Sequence, residues 1–273
     1  MRLPMLLLGV LAGCGSVSDP KPDASGSARA LADRPDDISG NQVHIIYAIP
    51  SDGADRKLDI DGTLQRSVQA WSSWFASKAL GPKLRLDVAG GAPDITFVRL
   101  PRTDTAYAAE GVLIRDRIEQ DLGNLKHINL AKAYLVYYDG TSNSCGSGPL
   151  PPALIGRAAV IYLDGQVPNA VPCKNNPIGA SADVPGYFEF VAVHELMHVL
   201  GAAASCSPNQ VGGGHVGDDP TDLMYAGTQP WQPAKLDAGN NDYWRHSNAG
   251  CLDLANSAFL DPLPASAQLP PGW

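Results

Sequence analysis

The sequence predicts a mixed α/β fold, with a twisted mixed sheet, one long apolar helix and a smaller, loop-rich C-terminal part. Three observations support this prediction. Segments with strand and helix patterns alternate over residues 43–163. A strongly apolar helical segment follows at about 185–201. The 28 glycines and 23 prolines fit long, structured loops between these elements.

Each element follows from its local sequence. Residues 43–49 are rich in β-branched side chains and predict a first strand, which ends at Pro50. Residues 63–80 have apolar side chains at helical spacing, and this helix stops at Gly81-Pro82. Further strands are predicted at 84–88, 94–100, 133–138 and 158–163, and further helices at 107–122 and about 185–201.

The most informative segment is His-Glu-Leu-Met-His at 194–198, within the apolar helix. Side chains four residues apart lie on one face of a helix, so His194 and His198 can bind one metal ion together. Zinc enzymes use neutral nitrogen ligands and one open position, and Glu195 can act as base on water there. Two solvent-facing histidines are the weaker interpretation, because the flanking residues 190–193 and 199–200 are apolar.

The third metal ligand must come from elsewhere in the chain. No glutamate follows Glu195, which argues against a glutamate ligand from a later helix. His215 follows three glycines and is favoured, because an all-imidazole set is typical of catalytic zinc. The oxygen alternatives are Asp218, Asp219 and Asp222.

Two segments, 194–201 (HELMHVLG) and 222–225 (DLMY), resemble the metzincin clan of zinc endopeptidases. The resemblance implies that Met224 lies beneath the metal in a tight turn, most similar to the matrixin version. The family pattern has His or Asp three residues after the glycine, where this chain has Ala204. The third ligand is therefore displaced to a later position, which again favours His215.

The resemblance also implies a metzincin-like zincin fold, in which an edge strand of the sheet pairs with an extended substrate. Whether 133–138 or 158–163 is that edge stays open. From Ala226 onward the chain would form the lower wall of the cleft. Tyr225 is expected to be buried under the metal, without a catalytic role. The candidates for a pocket wall, or equally for core packing, are Trp231, Tyr243 and Trp244.

The N-terminus resembles a bacterial lipoprotein signal. A basic start precedes a short apolar run and then Leu-Ala-Gly-Cys at 11–14. This predicts a signal peptide at 1–13 and lipid attachment of Cys14 to a membrane; the alternative is a plain secretory signal. Residues 14–40 are rich in Ser, Asp, Pro, Ala and Gly and predict a flexible tether. Residues 41–273 then form one domain.

Cysteine use agrees with export to the periplasmic or extracellular face. Four further cysteines predict two disulfides in an oxidising compartment: Cys145, Cys173, Cys206 and Cys251. Three pairings are possible and the sequence does not choose between them, although 145–173 with 206–251 would close each loop locally. The net charge of −8, without a basic cluster, argues against nucleic-acid binding.

Together these features predict an exported zinc endopeptidase, with one catalytic Zn²⁺ and with Glu195 as general base on peptide or protein substrates. Two alternatives stay open: a non-catalytic, metal-binding surface lipoprotein for adhesion or binding, and an amidase that acts on cell-wall peptides. The intact Glu195 favours an enzyme, because a binding protein does not need the base.

Overall fold

The computed structural model describes residues 29–150, 154–168, 172–227 and 230–273. The predicted signal peptide, Cys14 and the first half of the predicted tether lie outside these residues. Within the described ranges, none of the helices has the length and apolar character needed to cross a membrane.

The predicted mixed α/β fold is confirmed. The main sheet has five strands: β1 Gln42–Ile49, β2 Ile95–Arg99, β3 Lys132–Tyr138, β4 Gly146–Ser147 and β5 Ala158–Tyr162. The α-helices of the described residues are α1 Thr63–Ala79, α2 Asp104–Ala108, α3 Ile114–Asn124 and α4 Tyr187–Leu200. Two-residue strands pair outside this sheet: Lys83–Leu84 with Leu260–Asp261, Val88–Ala89 with Ala92–Pro93, and Gln210–Val211 with His215–Val216. Single 3₁₀ turns are formed by Gly111–Leu113, Cys173–Asn175 and Leu254–Asn256.

The strands lie in the order β2-β1-β3-β5-β4 across the sheet. The first four strands run parallel to one another, whereas β4 runs antiparallel to β5. β1, β3 and β5 are buried along their whole length, which explains why their sequences are nearly continuous apolar runs. β4 is thus the edge of the sheet beside β5.

Alternate residues of β1 point to two separate cores. Ile45 and Tyr47 belong to the larger core, which includes apolar residues of α1, α4 and the C-terminal segment. Ile46 and Ala48 belong to the smaller core, which contains residues of α2 and α3. α4 packs on β5 and α1 and is buried over most of its length. A helix that is apolar on all sides is expected in such a position.

The structure corrects the predicted elements in three places. The helix predicted at 107–122 is divided into α2 and α3, because Gly111 between them adopts a φ of +60°. Within the segment predicted as a strand at 84–88, the middle residue Leu86 forms only an isolated bridge, to Val43. Neither of the two strands proposed as the sheet edge is the edge, since β4 occupies that place.

Residues 29–40, which the sequence assigns to the tether, contact the domain and are called the strap below. Ala30 forms an isolated bridge with Thr96 of β2. Arg29 forms an ion pair with Asp59 at 2.6 Å. The strap thereby contacts the β2 edge of the sheet at Ala30, whereas β4 is the edge that contacts α4.

Two disulfides join Cys145 to Cys173 and Cys206 to Cys251. This is the pairing that closes each loop locally, over sequence separations of 28 and 45 residues. The first bond lies directly before β4. Disulfides persist in oxidising compartments, so the pair indicates an extracellular or periplasmic location.

We expect no free thiol among these four cysteines in the native protein. Thiol labelling of the denatured, unreduced chain should modify none of them, and labelling after reduction should modify all four. Detection of two or more free thiols before reduction would contradict both the disulfide assignment and the location.

Candidate metal centre

α4 carries His194 and His198, two of the three candidate metal ligands, and specific backbone features fix both of its ends. At its start, the Glu189 carboxylate accepts hydrogen bonds from the backbone N–H groups of Gly186 at 2.9 Å and Gly179 at 3.0 Å. At its end, Gly201 adopts a φ of +91°, a left-handed conformation that favours glycine. The helix therefore ends at Leu200, two residues after His198, close to the end that the sequence predicts at about residue 201.

His194, His198 and His215 lie together, and each offers a ring nitrogen within 4.8 Å of the others. The Nε2 atoms of His198 and His215 are 3.3 Å apart. Two nitrogen ligands at about 2.0–2.1 Å from a tetrahedral zinc ion are separated by about 3.3–3.4 Å. The spacing therefore fits two ligands of one zinc ion, and the structure brings together the three residues that the sequence predicts.

Hydrogen bonds orient two of the imidazoles. His194 Nδ1 lies 2.7 Å from the carbonyl oxygen of Leu223, and His215 Nδ1 lies 3.2 Å from that of Gly212. A carbonyl oxygen only accepts, so each Nδ1 carries the hydrogen and each Nε2 keeps its lone pair for a metal. Burial lowers the pKa of His194 to about 4 and that of His198 well below its usual value. Both rings are therefore neutral, as metal ligands must be.

His215 reaches the helix through a tight β-hairpin rather than a flexible loop. Gln210–Val211 pairs with His215–Val216, and the glycines at 212–214 connect them. Gly213 and Gly214 adopt φ values of +77° and +73°, which side chains disfavour. A Cβ atom on Gly214 would also collide with Leu150. Gly213 and Gly214 are therefore required for the close approach of His215 to α4.

The three aspartates considered as alternative ligands are not part of the histidine group in the described chain. Asp219 binds the backbone N–H of Thr221 at 2.8 Å and the Lys235 ammonium at 3.0 Å. Asp222 is fully buried and accepts a hydrogen bond from the Tyr243 hydroxyl at 2.8 Å. These contacts give both residues structural roles in the turn after His215.

The turn that contains Met224 holds two of the candidate ligands in place. Asp222 accepts the backbone N–H of Met224 at 2.7 Å and closes the turn. The carbonyl oxygen of the preceding residue, Leu223, binds His194, and the Met224 carbonyl accepts the N–H of Val216 at 2.9 Å. Val216 follows His215, so the turn links the first and third histidines through backbone hydrogen bonds. The Met224 side chain is completely buried.

Glu195 lies beside the histidines and against the sheet edge. Burial raises the pKa of its carboxyl to about 8, and a hydrogen bond from the Gly148 backbone N–H acts in the opposite direction. A Cβ atom on Gly146 of β4 would lie only 2.6 Å from Glu195 Cγ. The sequence does not predict this contact, because β4 has two residues and no β-propensity signal. Its local sign is the pair of glycines, Gly146 and Gly148, that follow Cys145.

A cleft of about 570 Å³ opens next to His194, Glu195 and His215. Its other lining residues are mostly apolar or aromatic: Cys145, Gly146, Val167, Asn176, Tyr187, Val191, Tyr225, Ala226 and Trp231. Trp231 thus belongs to the cleft wall. Tyr243 and Trp244 are 1% and 2% exposed and pack in the core instead. Tyr225 is buried as expected, but it lines the cleft.

Comparisons with known proteins add little to this geometry. No protein-family model and no curated protein matches the chain. A solved structure with some likeness is metalloproteinase-II from Bacteroides fragilis, at 18% sequence identity and a TM-score of 0.33. The similarity covers 80% of this chain and 56% of that one, so the chain spans little more than half of that protein. A likeness this weak carries no argument about function.

Proposed function

We propose that this chain is an exported zinc-dependent endopeptidase with a metzincin-type site. The observation that carries the proposal is the convergence of three imidazole nitrogens next to Glu195, in a group that borders an open cleft. His194, His198 and His215 would bind the metal through Nε2. When bound, zinc would act as a Lewis acid on the substrate carbonyl and lower the pKa of water in its open position.

Glu195 is the proposed general base and acid. Its carboxylate would accept a proton from the attacking water and return that proton to the leaving nitrogen of the cleaved peptide bond. Burial favours the protonated form of Glu195, whereas the Gly148 N–H and a cation nearby favour the ionised form. These opposed influences support a carboxyl group that can both take and release a proton near neutral pH.

The position of β4 supports an extended peptide as substrate. β4 is the sheet edge next to Glu195, and a peptide strand can pair with the backbone groups of such an edge. The aromatic side chains of Tyr187 and Trp231 in the cleft wall would contact apolar side chains of that peptide. We therefore propose that the protein acts as an endopeptidase on unfolded or extended segments of its substrates.

Export and membrane attachment are also part of the proposal. The two disulfides support an oxidising compartment. Lipid attachment at Cys14 rests on the sequence alone, since that residue lies outside the described part of the chain. Mass spectrometry of the N-terminal peptide would detect the lipid.

The decisive experiment is digestion of a mixed peptide library by the purified protein. We expect cleavage at internal peptide bonds, complete loss of cleavage with a zinc chelator, and recovery on addition of stoichiometric zinc. A non-catalytic binding protein would bind zinc without cleaving any peptide. An amidase for cell-wall peptides would leave the library intact and cleave isolated cell-wall fragments instead.

A further inference from the structure

The C-terminal loop at 237–244 contacts the hairpin that carries the third candidate ligand. Asp242, which is 1% exposed, accepts a hydrogen bond from the backbone N–H of Asn209 at 2.9 Å and another from its side-chain amide at 3.0 Å. The Asp242 carbonyl oxygen also accepts a hydrogen bond from the Ser207 hydroxyl at 2.7 Å. Asn209 directly precedes the first strand of the hairpin, Gln210–Val211. The 237–244 loop therefore contacts the incoming side of this hairpin.

The position of the hairpin decides where the His215 ring lies. Its Nδ1 contacts the Gly212 carbonyl oxygen of the same hairpin, so the ring is oriented within that segment. The outgoing strand is held by the Met224 turn, because the N–H of Val216 donates to the Met224 carbonyl oxygen at 2.9 Å. The contact at Asn209 holds the incoming side, so the two contacts together restrict the movement of His215 relative to α4.

The buried carboxylate makes the contact at Asn209 difficult to break. If Asn209 moved away, both oxygens of Asp242 would lose these donors, and an unpaired buried carboxylate is unfavourable. The Cys206–Cys251 disulfide acts on the same segment but less directly. Cys206 lies three residues before Asn209, a stretch that an extended chain spans over about 10 Å. The disulfide thus limits how far the segment can move, whereas Asp242 contacts Asn209 itself.

The 237–244 loop is itself held in place. The Asp237 carboxylate, 5% exposed, accepts three successive backbone N–H groups at 2.8 to 3.0 Å, those of Asp242, Tyr243 and Trp244. The Trp244 ring packs edge-on against Phe75 of α1, with 5.6 Å between the ring centroids. A residue can position a site only when its own surroundings restrict its movement, and Asp242 meets this condition.

The same loop supports the turn that orients His194. The Tyr243 hydroxyl donates to one oxygen of Asp222 at 2.8 Å, and the Ala238 N–H donates to the other at 2.7 Å. Asp222 closes the turn whose Leu223 carbonyl oxygen accepts a hydrogen bond from His194 Nδ1. One loop thus reaches two of the three candidate ligands, one through the hairpin and one through the turn.

We propose that the 237–244 loop positions the ligands of the candidate metal centre, with Asp242 as the positioning residue for His215 and Tyr243 as the positioning residue for His194. Neither side chain belongs to the histidine group of the described chain. The inference rests on the metal centre of the proposed function and not on peptide hydrolysis itself.

The first test exchanges the two side chains that hold the hairpin. Asn209→Asp places a second carboxylate against that of Asp242, and the repulsion should displace the hairpin. We expect zinc affinity of the full chain, measured by competition with a chromophoric chelator, to fall by about 10- to 100-fold, as is typical for loss of an outer support of a metal ligand. Addition of Asp242→Asn to this variant again places an amide opposite a carboxylate and should recover most of the lost affinity.

Cobalt(II) in place of zinc reports on the ligands directly, because four-coordinate cobalt absorbs visible light more strongly than cobalt with additional ligands. We expect weaker absorption in cobalt-loaded Asn209→Asp and wild-type absorption in the combined variant. Circular dichroism should show the same fold in both. Unchanged zinc affinity in folded Asn209→Asp, or no recovery in the combined variant, would overturn the role of Asp242.

If Asn209→Asp fails to fold, Asp242→Asn alone decides. This variant keeps an acceptor for the Asn209 backbone N–H, but its amide group faces the amide group of Asn209 instead of accepting from it. Zinc affinity should fall, by less than in Asn209→Asp. Unchanged affinity would overturn the role of Asp242.

Tyr243→Phe tests the second contact, because it removes only the hydroxyl that donates to Asp222. Zinc affinity should fall. The matched control is Tyr107→Phe, which removes a hydroxyl that donates to Asp121 at the same distance of 2.8 Å, in the smaller core. The control should keep the wild-type zinc affinity. Equal zinc affinity in the two variants would overturn the role of Tyr243.

The same measurements separate this inference from the proposed function. A wild-type chain that binds no zinc would contradict the metal centre and, with it, the positioning roles of Asp242 and Tyr243. Zinc binding that depends on these residues, without cleavage of any peptide, would support the positioning roles and contradict only the proposed peptidase activity.

Discussion

Replacement of Glu195 by Gln is expected to remove nearly all peptide hydrolysis while the fold and the bound metal persist. Glutamine has the same shape and can still accept the hydrogen bond from the Gly148 N–H, so its packing against β4 is kept. It cannot take a proton from water. Loss of a general base costs about two to four orders of magnitude in rate.

The measurement is kcat/KM of Glu195→Gln on a peptide cleaved by the wild-type protein, together with zinc stoichiometry. Glu110→Gln is the matched control, because Glu110 is a partly exposed surface residue paired with Arg117. It should retain both activity and zinc. Wild-type turnover in Glu195→Gln would exclude Glu195 as the base. Loss of zinc together with activity would leave the proton-transfer role to be tested by Glu195→Asp, which keeps a carboxylate at a shorter reach.

The parts of the site that the sequence predicted are those with a strong local signal. α4 combines an apolar run, two histidines one turn apart and a glycine where the helix ends, and each of these acts over a few residues. The buried strands β1 and β3 are predicted for the same reason, because most of their eight and seven residues are apolar, β-branched or aromatic. The disulfide-bonded cysteines were likewise evident from their number.

The parts that were missed depend on contacts between distant segments. β4 has two residues, and its importance comes from its place beside β5 and Glu195 rather than from its composition. The strap has the polar composition of a linker, yet Asp33 and Asp36 find a buried partner in Lys132, 99 and 96 residues away. The amino-acid composition of a segment cannot predict such partners. A charged side chain helps to hold a segment in place only when an oppositely charged group lies nearby in the fold.

The position of His215 depends both on its local sequence and on the contacts that its segment makes with distant residues. The sequence offered an imidazole after three glycines, and the structure places it on a hairpin that those glycines allow. Asp222 differs from His215, because the sequence made it a candidate ligand and the structure gives it another role. It was considered as a metal ligand, but the backbone N–H groups of Met224 and Ala238 and the Tyr243 hydroxyl occupy its carboxylate. Its contribution is to hold the turn whose carbonyl oxygen orients His194.

Replacement of His215 by Ala is expected to lower zinc affinity at the cleft by orders of magnitude and to abolish peptide hydrolysis. The variant would leave only His194 and His198, and two protein ligands are too few for a stable catalytic zinc site. Alanine at position 215 does not disturb the positive φ values at Gly213 and Gly214, so the hairpin should still form. Zinc affinity can be measured by competition with a chromophoric chelator.

His246→Ala is the matched control, because the His246 ring contacts the Leu252 carbonyl oxygen at 3.1 Å and is not part of the histidine group. This variant should keep zinc and activity. Asp219→Ala should keep both as well, since Asp219 binds Thr221 and Lys235. Survival of zinc binding and activity in His215→Ala, with their collapse in Asp219→Ala, would replace the all-histidine set by two histidines and an aspartate. Collapse in His215→Ala alone would establish that the displaced hairpin supplies the ligand missing at Ala204.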